Sequence, residues 1–118
     1  MEKSVQAFLI KVNEQKHVLQ LIQKIEYLTI RLVAEQSSTA FVITNTGIYN
    51  LHNVTEVGDT CDIYGKINDL QDLLSGKEKL RVLVKDGKIR ISASFRTVLM
   101  LESLFSLTKP EIPLVKTF

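Results

Sequence analysis

Cysteine, tryptophan, histidine and proline are scarce in this 118-residue chain: one Cys, no Trp, two His and two Pro. A single cysteine, Cys61, excludes an internal disulfide and any multi-cysteine zinc site. The two histidines, His17 and His52, are far apart in sequence and argue against a histidine-based metal site. No apolar run approaches the roughly 20 residues of a membrane span. The start, Met1-Glu-Lys-Ser-Val5, carries no uninterrupted apolar core and no small-residue cleavage site. Neither sign of charge dominates: 15 Lys+Arg against 13 Asp+Glu leave a net +2, too balanced to argue for nucleic acid. The five glycines, Gly47, Gly58, Gly65, Gly76 and Gly87, are dispersed singly, so no phosphate-cradling loop is present. The expectation is a soluble, reduced, cytoplasmic protein without metal or cofactor and without a nucleic-acid partner.

What is present suits one domain over residues 1–118, long enough to bury roughly two-thirds of its unfolded surface without staples. Val5, Phe8, Leu9 and Val12 recur at helical spacing, and the stripe then shifts to Val18, Leu21, Ile22 and Ile25. Either one long helix is gripped on two sides, or it breaks near Asn13-Glu-Gln-Lys16; one helical region with two contacts is the favoured reading. From Tyr27 the period becomes two, predicting a strand over 28–33 and an antiparallel partner over 40–44. A weaker strand over 48–54 and a short one over 60–64 follow. Ile67, Leu70, Leu73 and Leu74 then mark one face of a compact helix, with Gly76 placed as its left-handed cap.

Asp86-Gly87 separates residues 80–85 from 88–92, and a two-residue Asp-Gly loop signals a β-hairpin. In that register Val84 faces Ile89, Val82 faces Ile91 and Leu80 faces Ala93, while Arg81, Lys85, Lys88 and Arg90 surround Leu83 on the other face. A final helix over 96–107 spreads Val98, Met100, Leu101, Leu104, Phe105 and Leu107 over about half its circumference, wider than a surface helix needs. Its excess apolar surface must meet something besides the sheet. Pro110 and Pro113 then precede an apolar tail, Ile112, Leu114, Val115 and Phe118. The order of helix, strands, short helix, hairpin and helix predicts an α+β domain on one mostly antiparallel sheet.

Catalysis requires titratable or nucleophilic groups with a tuned base within reach. Cys61 sits in a strand with no motif around it and reads as a small buried hydrophobe. His17 and His52 read as solvated or structural. Asp62, Asp69 and Asp72 match no calcium loop, and helix capping accounts for two of them. A non-enzyme is expected. Between Lys77 and Arg96 there are seven basic residues against two acidic. A solvated or charge-protected edge is the plain reading. Attraction to an anionic membrane surface or a ligand phosphate comes second. Nucleic acid comes third, for want of interleaved aromatics.

The block from Thr60 to Leu107 resembles the sterol carrier protein type-2 (sterol-transfer) domain family. The resemblance is carried by Cys61-Asp-Ile-Tyr-Gly65, by Asp72-Leu-Leu-Ser-Gly-Lys77, by Gly87-Lys-Ile-Arg-Ile91 and by Val98-Leu-Met-Leu-Glu-Ser-Leu-Phe105. The strands over 28–34 and 40–44 fall where that family has its first hairpin. The resemblance implies an α+β fold with a five-stranded sheet and an apolar tunnel between the sheet and the C-terminal helix. It also implies non-catalytic binding or transfer of a fatty acyl, phospholipid or sterol-like lipid. Two features depart from the family: Ala93-Ser94 stands where members usually have a glycine, and many members carry a short helix where the hairpin reading puts a strand over 80–85.

By position the resemblance assigns Ile89, Ile91, Leu101, Leu104 and Phe105 to the pocket wall. The apolar pattern adds Val82, Val84, Val98 and Met100. Without a cavity the same residues make an ordinary core. The rival reading is an interaction module that forms a homodimer, or packs on a partner enzyme, through the apolar final helix and tail.

Overall fold

A computed structural model of the chain describes residues 2–25, 27–51 and 58–108. Helix α1 (Glu2–Glu14) buries Val5, Phe8, Leu9 and Val12, the stripe its sequence predicts. The helical region then breaks. Gln15 is extended, and a short α2 (Lys16–Leu19) and a 3-10 turn (Gln20–Ile22) follow, burying Val18 and Ile22. The favoured single helical region is thus replaced by its alternative, and the cause lies at Asn13. Its side-chain amide donates to the Ile48 carbonyl (2.7 Å) and accepts from the Ile48 N–H (3.0 Å). Donating to the Leu9 carbonyl as well, the amide ties the end of α1 to the neighbouring strand.

Five strands form one sheet: β1 (Tyr27–Val33), β2 (Ser38–Thr44), β3 (Gly47–Asn50), β4 (Asp59–Gly65) and β5 (Ile89–Ser92), in the order β3-β2-β1-β4-β5. Pairing is antiparallel except between β1 and β4, which run parallel with Ile30 opposite Cys61 and Leu32 opposite Ile63. The sheet is therefore mixed, though mostly antiparallel as expected. The strand expected over 48–54 is regular only through Asn50, and residues 52–57, with His52, lie outside the described residues. The tail with Ile112, Leu114, Val115 and Phe118 lies outside them too.

Alternation sorts the two sheet faces. Leu28, Ile30, Leu32, Phe41, Ile43, Ile48, Cys61, Ile63 and Ile89 are buried on one face with the helices. Gly65 lies opposite Ile89, and a Cβ there would come within 2.6 Å of the Ile89 Cγ2, so the missing side chain makes room for the isoleucine. Helix α3 (Ile67–Leu74) buries Leu70, Leu73 and Leu74 and ends at Gly76 as expected, but Ile67 in its first turn stays exposed.

Residues 80–85 correct the hairpin. They form helix α4 (Leu80–Lys85), burying Leu80 and Leu83, and β5 pairs with β4 instead. Gly87 (φ 74°) ends α4 in a Schellman motif: its N–H reaches the Val84 carbonyl (3.1 Å) and the Lys88 N–H the Leu83 carbonyl (2.9 Å). Asp-Gly serves a hairpin turn and a helix end alike, because both need positive φ at the glycine. Six residues make fewer than two turns, too few for a 3.6-residue period to overrule an apparent alternation of Leu80, Val82 and Val84. The predicted facing pairs Val84–Ile89 and Val82–Ile91 do not form as ladder partners, and Leu83 leaves the basic face for the core.

Helix α5 (Phe95–Thr108) starts one residue earlier than its sequence suggests. Ser94 caps it: its Oγ accepts from the Thr97 N–H (3.2 Å). Leu101, Leu104, Phe105 and Thr108 are buried. Most of the wide apolar stripe is explained by its neighbours, since α1, α2, α3 and α4 all pack against α5, but Leu107 stays 52% exposed. Phe105 meets Phe8 (ring centroids 5.1 Å), which meets Phe41 of β2 (5.7 Å), linking α5, α1 and the sheet.

Candidate functional site

The nine residues assigned to a pocket wall divide by burial. Ile89, Leu101, Leu104 and Phe105 are fully buried and belong to the hydrophobic core. Ile91, Val98 and Met100 are partly buried against that core. Val82 and Val84 are exposed on α4, at 41% and 37%. Three of the nine, Val84, Ile91 and Val98, come together in an open groove of about 410 Å³ between α4, β5 and α5. Arg81, Lys85, Ala93 and Phe95 complete its lining. Ile89 is on the same strand as Ile91, and Leu101, Leu104 and Phe105 are on the same helix as Val98.

Sequence reasoning missed Ala93 and Phe95 because the hairpin reading spent Ala93 on pairing with Leu80 and left Phe95 ahead of the helix. Ser94 was the available signal, as a serine just ahead of the apolar helical stripe fits a helix cap. Arg81 was placed on a solvated sheet face. In the structure its backbone N–H donates to Glu102 Oε1 (3.0 Å) and its Nε to Glu102 Oε2 (2.9 Å). Glu102 of α5 thereby supplies the N-terminal cap that α4 lacks among its own side chains. The contact holds the two walls of the groove together. Lys85 has no ion-pair partner among the described residues, so the polar end of the groove is cationic.

A second polar cluster lies on the opposite sheet face. Arg31 donates to both oxygens of Asp62 (2.6 Å each), and the Tyr64 hydroxyl donates to Asp62 Oδ2 (3.1 Å). The hydrogen bond from Arg31 is the main cause that lowers the Asp62 pKa, with Tyr64 adding to it. Arg90 stands 5.8 Å from the Tyr64 ring centre. This is a cross-strand ladder between paired β1 and β4, and a larger concavity of about 660 Å³ beside it is lined by Glu2, Gln6, Ser38, Thr39 and Asn50 among others. A carboxylate already bonded to an arginine and a tyrosine is a poor general base.

Cys61 is buried as expected, and burial foremost, then the neighbouring Asp62 charge, pushes its thiol pKa up to about 11. A thiol held protonated at neutral pH is not an activated nucleophile. Among the described residues no group of His, Cys, Asp and Glu is arranged to hold a metal ion, and no helix is long and apolar enough to cross a membrane. Chemically the groove between α4, β5 and α5 offers apolar contact with a cationic end.

No protein-family model matches the chain, and neither does any curated protein. Solved structures do. A protein described as UbiJ-SCP2 ubiquinone synthesis protein superposes with a TM-score of 0.66 at 15% identity, covering 84% of this chain and 86% of that one. Sterol carrier protein-2 like-3 from Aedes aegypti gives 0.58 at 19% identity, covering 86% and 95%. The stereoselective inverting sec-alkylsulfatase Pisa1 from Pseudomonas sp. gives 0.58 at 14% identity, covering 85% of this chain but 15% of that enzyme. The fold is thus that of sterol carrier protein 2, as the sequence resemblance implied, and it also occurs as a small part of a larger enzyme.

Proposed function

We propose that this protein binds a hydrophobic ligand without transforming it, and that the ligand occupies the groove between α4, β5 and α5. The observation that carries the reading is the lining itself. Val84, Ile91, Ala93, Phe95 and Val98 offer apolar contact, and Lys85 supplies positive charge, that of Arg81 being matched by Glu102. A groove of about 410 Å³ lies within the span of roughly 300–1,000 Å³ usual for small-molecule sites. The chemistry matches a lipid with an apolar chain and an anionic end, such as a fatty acyl group or a phospholipid. The likeness to sterol carrier protein 2 structures supports the same class. Ile89, Leu101, Leu104 and Phe105 back the site as core residues in this reading.

Native mass spectrometry of freshly purified protein, followed by solvent extraction, tests it. A stoichiometric lipid, or uptake of added fatty acid by the empty protein, is the expected result. The discriminating variant is Ala93→Trp, at an exposed groove position where a large ring fills the space and disturbs no buried contact. A charge at Leu104 is the wrong choice, because that side chain is fully buried and an unpaired charge there unfolds the protein. Undiminished uptake by folded Ala93→Trp contradicts the site.

A further inference from the structure

The two edges of the sheet are finished differently. At β3 the backbone of Ile48 turns away from β2, and the Asn13 amide takes both its N–H and its carbonyl. A side chain of α1 thus closes that edge. At the other end of the sheet β5 pairs with β4 alone. In an antiparallel pair every second residue points its N–H and C=O away from its neighbour, so half of Ile89–Ser92 present theirs outward. Among the described residues none of these outward groups has a hydrogen-bond partner.

An unpaired edge is a template for another strand, and charge selects which one. Arg90 and Lys88 are exposed at β5, and Lys66 joins them in lining an open cleft of about 610 Å³. None of the three has an ion-pair partner among the described residues, and Glu35 is the one acidic side chain among those that line the cleft. Arg90 stands over the Tyr64 ring, its guanidinium carbon 5.8 Å from the ring centre. A second copy of β5 laid antiparallel on the first would bring Arg90 and Lys88 of the two chains together, so the edge rejects self-pairing. Toward the helices, Ile91 and Val84 line the apolar groove beside the same strand.

We propose that the β5 edge receives an extended segment of a partner protein in which apolar and acidic residues alternate. The segment adds to the sheet as a further strand, and its backbone satisfies the outward groups of β5. By period two its side chains fall alternately on the two sheet faces. Apolar ones sit beside Ile91 at the groove, and acidic ones beside Arg90 and Lys88. The proposal goes beyond the ligand reading and stands without it, since unpaired backbone and unmatched charge carry it.

Fluorescence anisotropy with a short labelled peptide of alternating valine and glutamate tests this. Binding is expected, weakening as salt is raised, and a peptide of alternating valine and lysine should not bind. Two N-methylated forms, one methylated at every valine and one at every glutamate, each lose the donors of one strand edge. One of them should bind about tenfold more weakly than the other. Lys88→Ala and Arg90→Ala, both at exposed positions, should each weaken binding about threefold. Lys3→Ala with Lys24→Ala, exposed on the N-terminal helical region, should change it by less than either. Amide hydrogen exchange read by NMR should show the outward β5 amides slowed about tenfold in the complex, with Ile48 unchanged. Absence of binding overturns the proposal, as does equal binding of the two methylated forms, since charge alone then suffices. Protection of β5 amides in the free protein that grows with its concentration gives the edge to a second copy and overturns it too. Uptake of fatty acid measured without peptide keeps the two readings apart: a protein that binds the peptide but takes up no lipid retains this proposal and loses the preceding one.

Discussion

Truncating Phe105 to alanine separates a packed core from a hollow one. Phe105 is 1% exposed and its ring stands 5.1 Å from Phe8, which in turn meets Phe41 at 5.7 Å. Removing a buried phenyl ring from a close-packed site costs about 3–5 kcal/mol, through lost transfer free energy and the cavity left behind. About 0.5–1.5 kcal/mol of that belongs to the aromatic contact itself. Against a total stability of about 5–15 kcal/mol for a domain, this is a severe loss. With a urea dependence of about 2 kcal/mol/M, a loss of about 4 kcal/mol moves the unfolding midpoint down by about 2 M. Far-UV circular dichroism in a urea titration reads the shift, since the chain has no tryptophan. Phe105→Leu keeps most of the buried area and should cost less than half as much. Combining Phe105→Leu with Phe8→Leu isolates the ring contact, with a coupling of about 1 kcal/mol. A loss below about 1 kcal/mol for Phe105→Ala refutes the packing argument and means that the ring faces a space already empty.

Two glycines with the same backbone sign should respond differently to alanine. At Gly87 (φ 74°) an added Cβ meets nothing, so Gly87→Ala costs only the left-handed strain of about 1–2 kcal/mol; at Gly58 (φ 76°) it comes within 2.6 Å of the Tyr27 carbonyl oxygen, and urea titration should show a clearly larger loss. Asp62→Asn removes an ionic acceptor of Arg31 and should cost about 1 kcal/mol at neutral pH, discounted because Arg31 is 43% exposed. The Asp62 pKa is depressed in the folded state, so its contribution is present above the ordinary carboxylate value and is lost as pH falls through the lowered one. Stabilities of wild type and Asp62→Asn, measured as pH is lowered, should therefore converge in acid, and a gap that persists there contradicts the pairing.

The sheet was legible where side chains alternate strictly. Leu28, Ile30 and Leu32 bury one face of β1 and Phe41 and Ile43 one face of β2, as period-two patterning requires. Helices long enough to repeat, α1 and α5, were legible for the same reason. Residues 80–85 were not. Leu80–Lys85 has the composition of a strand, and a contact distant in sequence, Glu102 with the Arg81 N–H, supplies the first-turn partner that lets it stay helical. The break at Gln15 has a similar origin, because Asn13 is fixed by Ile48, thirty-five residues away. The parallel pairing of β1 with β4 left no mark in either strand's own pattern. The candidate site suffered most from these local errors. Its strand and helix residues were correctly apolar, but burial assigned four of them to core, and the groove lies one layer outward, at Val84, Ala93, Phe95 and Val98.

The central claim, an apolar ligand held between α4, β5 and α5, is tested most directly by cross-linking. A fatty acid bearing a photoactivatable diazirine on its chain would be bound, irradiated, and the protein digested and mapped by mass spectrometry. Label is expected on residues 81–98, at Val84, Ile91, Phe95 and Val98, and unlabelled fatty acid should compete it away. Competed label concentrated instead around the larger concavity lined by Arg31, Thr39 and Asn50, or no competed label at all, would contradict the account.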